Sequence, residues 1–532
     1  LLPALLGAAL YVVNLPGTWI YDDLYFAKED PRLHDVRHWR DFLTQEYMDG
    51  SADKLWRPLV SLSFAVEAVL HPEKAWPFHL VNLLLHAAVC ALVAKLGERL
   101  TGRSGVGLVA GLLFAAHPIH VEAVTGIVGR SEEMCTLGVL ASLLLVAGRA
   151  LTIRRALAVT GWFLFAALSK EQGILLPFML LGGWIISRGG ARRVRDSMIP
   201  CATSSVPAGA VRSEAALAGK PPVLDYMGSV GQKASEAGQW LIALLTLTLA
   251  VYISYRNSVA KWYWDKGFLD WPMNPIVRSV GVSRWLMPVA IFGRYSALLV
   301  APWRLAPDYS ANVFTPEQRL GDPYLWIGVA ALIGFISIFI VALRRGHTVL
   351  LFLLGCFAVT YFLAGNIVII GTIFGERLMY LPSVFLCILA AMAIQKLPGS
   401  ARGPLVVIVL IAFCVRTETY AWRWNDRLHF YEYAARVQPK SSQIFLLLGD
   451  ELENRRNDVD GAERAYAQGR AACPESWRIL NASARIALLR GHYDDAETWA
   501  RQSMRIRPAP GTAELISEIV EKRSEESDKV TR

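Results

Sequence analysis

The chain has 532 residues, 54% of them apolar, a formal net charge of +9 and a mean hydropathy of +0.35. That composition excludes an ordinary soluble globule and leaves room for a polytopic membrane core plus a small further domain. The basic excess does not point to nucleic acid, because many Arg and Lys gather beside apolar runs (Arg188 to Arg195, Arg344 and Arg345, Lys396 to Arg402), as the positive-inside rule asks of cytoplasmic loops.

The chain opens on Leu1 without a Met and is expected to be truncated; no cleavable signal with a small-residue cleavage site is evident. Leu1 to Ile20 is apolar and of spanning length, and YDDLYF follows at once. From Asp22 to Pro77 the chain is more polar, which predicts a large first loop with some amphipathic helix. Phe78 to Leu96, Val106 to Ala116, Met134 to Ala150, Ala156 to Ser169 and Ile174 to Ser187 are the next apolar runs. The short ones suit tilted or broken helices lining a cavity. Residues 188–239 turn to Ser, Ala, Gly, Pro and charge and predict a flexible, partly disordered cytoplasmic insert.

Trp240 to Tyr255 is a further span, and KWYWDKGFLDWPMNP after it suits a membrane interface. If Trp285 to Pro302 crossed fully, the Arg344 pair and the Lys396 to Arg402 cluster would fall outside. A re-entrant or interfacial segment there keeps both inside, with spans at Tyr324 to Leu343, Val349 to Ile370, Met379 to Ile394 and Pro404 to Val415. The expectation is about eleven crossings, with the N-terminus cytoplasmic and the C-terminus on the opposite side. The seven cysteines form neither a metal-binding spacing nor a disulfide framework.

Beyond Thr417 the chain reads as soluble and helical. DVDGAERAYAQGRAACP realigns on HYDDAETWARQSMRIRP at a shift of 34 residues, the period of the tetratricopeptide repeat. Two repeats and a last helix predict a short α-solenoid, whose concave face suits a peptide.

The most informative stretch is HPIHVEAVTGIVGRSEE, His117 to Glu133, which interrupts an apolar region. At mid-bilayer, Glu122, Arg130, Glu132 and Glu133 would cost roughly 2.5 to 3.5 kcal/mol each. The segment therefore belongs at a water boundary, where its charges can converge on a membrane-edge cavity. The same side should carry Asp22, Asp23, Arg57, His79, Lys170, Glu171, Asp270, Asp308, Glu376, Arg377 and Tyr380. Asp22 or Asp23, just after the first span, suits a general base acting on an attacking hydroxyl; a DD pair also begins a helix well. Neighbouring helical residues point about 100° apart, so one of the two should face the substrate. Arg57, Arg130, Lys170 and Arg377 are candidates for an anionic lipid phosphate, Arg by a bidentate fork and Lys as a point charge. His117, His120, Glu122, Glu171 and Tyr380 are supporting polar candidates. His117 and His120 lack the i, i+4 spacing of a helical zinc motif, so no metal and no other cofactor is expected.

These residues give a resemblance. YDD, WRPLVSLSF, FHLVNLLLH, HPIHVEAVTGIVGRSEE, LSKEQGI, the DWPMNP to LAPDYS stretch and GERLMYLPS, followed by the repeats, resemble the transmembrane and tetratricopeptide-repeat-containing (TMTC) family of protein O-mannosyltransferases, within the GT-C superfamily. The likeness runs from about Tyr21 to the end, with Glu132 and Glu133 standing where one acid is expected. It implies an all-α architecture, a GT-C-like membrane domain over 1–418 and a soluble repeat domain over 419–532. Within the former, 21–77 would be the first lumenal loop, 188–239 the cytoplasmic insert and 257–322 a lumenal, partly re-entrant region. It further implies transfer of mannose from dolichyl-phosphate mannose to Ser or Thr of a protein at the lumenal face of the endoplasmic reticulum, or at the inner membrane in a bacterium. Asp22 or Asp23 would be the catalytic base, Lys170, Arg130 and Arg377 would bind the lipid phosphate, and the repeats would recruit the acceptor. A transporter of lipid-linked sugar should show repeats between its halves, which are not evident. A non-catalytic scaffold would need none of the rim acids and bases.

Overall fold

The computed structural model describes residues 1–47, 54–197, 232–260, 271–313 and 320–531. Most of the 188–239 insert, and Asp270, lie outside them. Among the described residues the chain is helical and builds no β-sheet. α1 (Leu2–Tyr11) runs on as a 3-10 turn to Asn14. It ends before Pro16 and Gly17, so the apolar stretch to Ile20 is not one helix. The bundle then follows as α2 (Pro58–Leu70), α3 (Trp76–Thr101), α4 (Ser104–Ala116), α5 (Val121–Thr125), α6 (Arg130–Val146), α7 (Ile153–Ser169), α8 (Leu176–Ser197), α9 (Gln232–Val259), α10 (Val282–Val300), α11 (Pro323–Arg345), α12 (Thr348–Ala364), α13 (Tyr380–Ile394) and α14 (Gly399–Arg423).

Five described helices are long and apolar enough to cross a membrane, or six if α4 and the Pro118–Thr125 segment, bent by 53°, form one broken span. Such helices fit a membrane protein, but the expected eleven crossings do not emerge by length. α6, α7 and α12 have 17 residues each, about 26 Å at 1.5 Å per residue against a hydrocarbon core of about 30 Å. An apolar run does not distinguish burial in protein from burial in lipid. α6 is buried along most of its length, whereas α11 has 17% of its apolar window inside the protein.

The segment expected to dip in and return is α10, which stays one unbroken helix past Pro288. Arg284 near its start donates to the carbonyls of Asn366 and Ile367, in the loop that leads to Glu376. Near its end, His117 Nε2 lies 3.0 Å from the Leu299 carbonyl. Both ends are thus tied to the bundle, one through the 366–367 loop and the other through His117. Gly293 and Gly328 let it cross α11 backbone to backbone, since a Cβ on either would strike the other helix.

α14 continues to Arg423, so a boundary at 418 and 419 falls inside a helix. α15 (Arg427–Val437) follows, then α16 (Ser442–Arg456), α17 (Val459–Ala472), α18 (Trp477–Leu489), α19 (Tyr493–Ile506) and α20 (Pro510–Thr531). α17 and α19 are both 14 residues long and start 34 residues apart. The turns before them pass through left-handed residues at the same offset, Asn457 (φ 53°) and Gly491 (φ 74°), and Ala462 and Ala496 are buried at matching positions. The sequence period is thus a repeat of two helical hairpins. Phe430 and Tyr431 of α15 and Leu447 of α16 belong to the main bundle's core, which seats this region on the rim.

Candidate active site

The rim is built where helices start or stop. Tyr21 takes φ 59°, a left-handed conformation that costs a bulky residue about 1–3 kcal/mol. It is held there by Tyr431, whose hydroxyl accepts the Tyr21 N–H at 3.2 Å. The turn sends Asp22 and Asp23 in different directions. Asp22 points outward and stays partly exposed, with Oδ2 accepting from both Nη1 and Nη2 of Arg377 at 3.0 Å. Asp23 points inward, 1% exposed, and accepts backbone N–H groups of Ile20 at 3.2 Å and Val128 at 3.0 Å. Burial pushes its carboxyl up to about 7 against the pull of those N–H groups. Asp23 thus ties the first loop to the 127–129 turn, and Asp22 is the acid of the pair that stays partly exposed.

Glu122 completes the acidic half. Its Oε2 accepts the backbone N–H of Arg377 at 2.9 Å, and Oε1 lies 3.4 Å from Arg377 Nε. Beside it, Arg57 donates to Glu171 at 3.0 and 3.3 Å, and Lys170 pairs with the buried Glu132. Lys170 and Glu171 are chain neighbours, so these two ion pairs form one patch. The structure thus places six sequence candidates in two ion-pair groups, Asp22 and Glu122 on Arg377, and Arg57 with Glu171 next to Lys170.

Four others do not. Arg130 is fully buried and its donors are spent inside the protein, on Glu67 at 2.6 and 2.9 Å, Ser63, Asn82 and the Phe78 carbonyl. It has nothing left for a phosphate. His117 receives the Ile119 N–H on Nδ1 while Nε2 serves the Leu299 carbonyl. His120 is spent on the Phe114 carbonyl and Ser383. Tyr380 bonds His86 at 2.8 Å in the bundle interior. These four position the rim and do not line it. Among the described residues no three His, Cys, Asp or Glu converge as metal ligands. His79 is also buried, and Glu376 is used internally, accepting from the Ala306 N–H and the Tyr309 hydroxyl at 2.7 and 2.6 Å.

The sequence reading missed Arg256, buried at the end of α9, which donates to the Lys54 carbonyl at 3.2 Å and acts electrostatically on Glu171. The available signal was a cation directly after the apolar run Trp240 to Tyr255. Asp308 joins the rim to the repeats: it accepts the hydroxyls of Ser310 at 2.6 Å and Ser441 at 2.5 Å, and the Tyr21 hydroxyl lies 3.5 Å away.

Comparison with known proteins bears on this arrangement. Protein O-mannosyl-transferase TMTC2 of Mus musculus is 37% identical over 186 residues, 33% of this chain and 22% of its own. Protein O-mannosyl-transferase F38B6.6 of Caenorhabditis elegans is 24% identical over 473 residues, covering 86% and 60%. The homologues are named as protein O-mannosyl-transferases. Protein O-mannosyl-transferase TMTC4 of Homo sapiens adds 25% identity over 506 residues, 83% of this chain and 62% of its own. The chain thus spans between about a fifth and three fifths of the length of these mannosyl-transferases. No family model and no solved structure matches it.

Proposed function

We propose that the chain is a membrane glycosyltransferase that moves mannose from a polyprenyl-phosphate donor, of the dolichyl type, to a Ser or Thr hydroxyl of a protein. The observation that carries the reading is the rim itself. A partly exposed carboxylate, Asp22, pairs with Arg377 beside Glu122, and Arg57 and Lys170 pair with Glu171 and Glu132. The names of the homologues support the same class of reaction.

In the step, the acceptor hydroxyl oxygen bonds to the anomeric carbon as the bond from that carbon to the phosphate oxygen breaks. The hydroxyl proton passes to Asp22. The electron pair of the broken bond stays on the departing polyprenyl phosphate, whose added negative charge Arg377, Arg57 and Lys170 stabilise. The repeat hairpins, hung from the rim at Ser441, hold the acceptor, and the rim and repeats both face the lumen of the endoplasmic reticulum, or the outer side of a bacterial inner membrane.

The test is transfer of labelled mannose by the purified chain from polyprenyl-phosphate mannose to a Ser/Thr peptide, with the linkage released by alkaline β-elimination. No transfer, or equal transfer to peptides lacking Ser and Thr, overturns the reading. The natural sequon Asn481-Ala482-Ser483 is a poor topology probe, because Asn481 lies inside α18 with Oδ1 buried. A sequon introduced in an exposed turn of the repeats replaces it.

A further inference from the structure

The geometry points to a latch: Arg377 holds the Asp22 carboxylate until the phosphate of the sugar donor takes Asp22's place on the guanidinium. This rests on the proposed function and adds an order to it, donor before acceptor. Arg377 has two claimants of different kinds. Glu122 grips it from within, through the backbone N–H and alongside Nε, with a side chain 5% exposed. Asp22 holds the outer edge, Nη1 and Nη2, at a contact where both side chains remain partly open, 27% and 28% exposed.

That outer edge is the face a guanidinium offers to a phosphate, two parallel N–H groups matched to two oxygens. One edge cannot serve both anions fully. While Asp22 Oδ2 accepts from both Nη groups, that oxygen's lone pairs are occupied and cannot take the acceptor's proton. When the phosphate takes the Nη edge, Asp22 loses those bonds and becomes free to accept the acceptor's proton, while Glu122 keeps Arg377 in place. Glu122 is thus a positioning residue, and Asp22 does not remove a proton before the donor is seated.

The test is equilibrium binding of polyprenyl phosphate to the full chain in detergent, comparing wild type, Asp22→Asn and Glu122→Gln. Each variant removes one negative charge next to Arg377, so general electrostatics would tighten both. The latch predicts opposite signs: Asp22→Asn binds about fivefold tighter, the scale of one partly exposed ion pair, and Glu122→Gln binds more weakly. Asp22→Ser serves if the Asn variant does not fold. Unchanged or weaker binding by both Asp22 variants, or equal tightening in Glu122→Gln, overturns the latch and leaves the proposed function standing. Failure of the wild type to bind polyprenyl phosphate at all overturns both.

Discussion

Replacing Arg130 by Met separates a structural arginine from a phosphate ligand. Arg130 is fully buried and makes a bidentate pair with Glu67, whose side chain is 11% exposed. Removing one partner of such a pair leaves a charge buried alone and costs about 3–5 kcal/mol. Loss of the guanidinium stacked 4.6 Å from the Phe64 ring adds about 1 kcal/mol. Partial exposure lets Glu67 recover some hydration, so the expected destabilisation is about 4 kcal/mol. The assay is denaturant titration of the detergent-solubilised protein, with polyprenyl phosphate binding measured on the folded fraction. Arg130→Met with Glu67→Met should regain most of the loss, because an apolar pair of similar volume replaces an ion pair with little penalty. A stable Arg130→Met protein with phosphate affinity down tenfold would refute the reasoning and restore Arg130 as a ligand.

Two further outcomes follow from the same contacts. Asp23 has a folded value near 7, raised by burial above the usual carboxylate range, so its contribution to stability is full below about pH 4 and is lost as pH rises through 7. Thermal midpoints measured from pH 4 to 8 should fall over that window in the wild type and fall less steeply in Asp23→Asn. Asp308→Ala removes the acceptor of both Ser310 and Ser441, at about 1–3 kcal/mol. Limited proteolysis should then cut faster near 438–441, while mannose transfer to a short peptide falls less than transfer to a folded acceptor.

What could be read in the sequence follows the range of the physics involved. The offset of 34 residues is local, and it reappears in the placement of α17, α19, Asn457 and Gly491. Pairing of these charges was legible because charge between apolar runs has few places to go: Asp22 and Glu122 pair with Arg377, Arg57 with Glu171 and Lys170 with Glu132. Which acid of the DD pair stays partly exposed was not legible, because a left-handed Tyr21 held by a residue 410 positions away sets it. Arg130, His117, His120 and Tyr380 looked like site residues because a buried polar network and a cavity wall use the same side chains. Their partners, Glu67, Leu299, Ser383 and His86, are fixed only by the fold. Hydropathy likewise leaves the number of crossings open, since it reports apolar surroundings and not their nature.

The central claim is that Asp22, and not Asp23, accepts the proton of the attacking hydroxyl. The direct measurement is the turnover of mannose transfer by Asp22→Asn at saturating donor and peptide, beside Asp23→Asn and the wild type. Loss of a general base predicts a fall of about 10²- to 10⁴-fold for Asp22→Asn, with folding intact, and a much smaller fall for Asp23→Asn that tracks its stability. Wild-type turnover in Asp22→Asn would contradict the account.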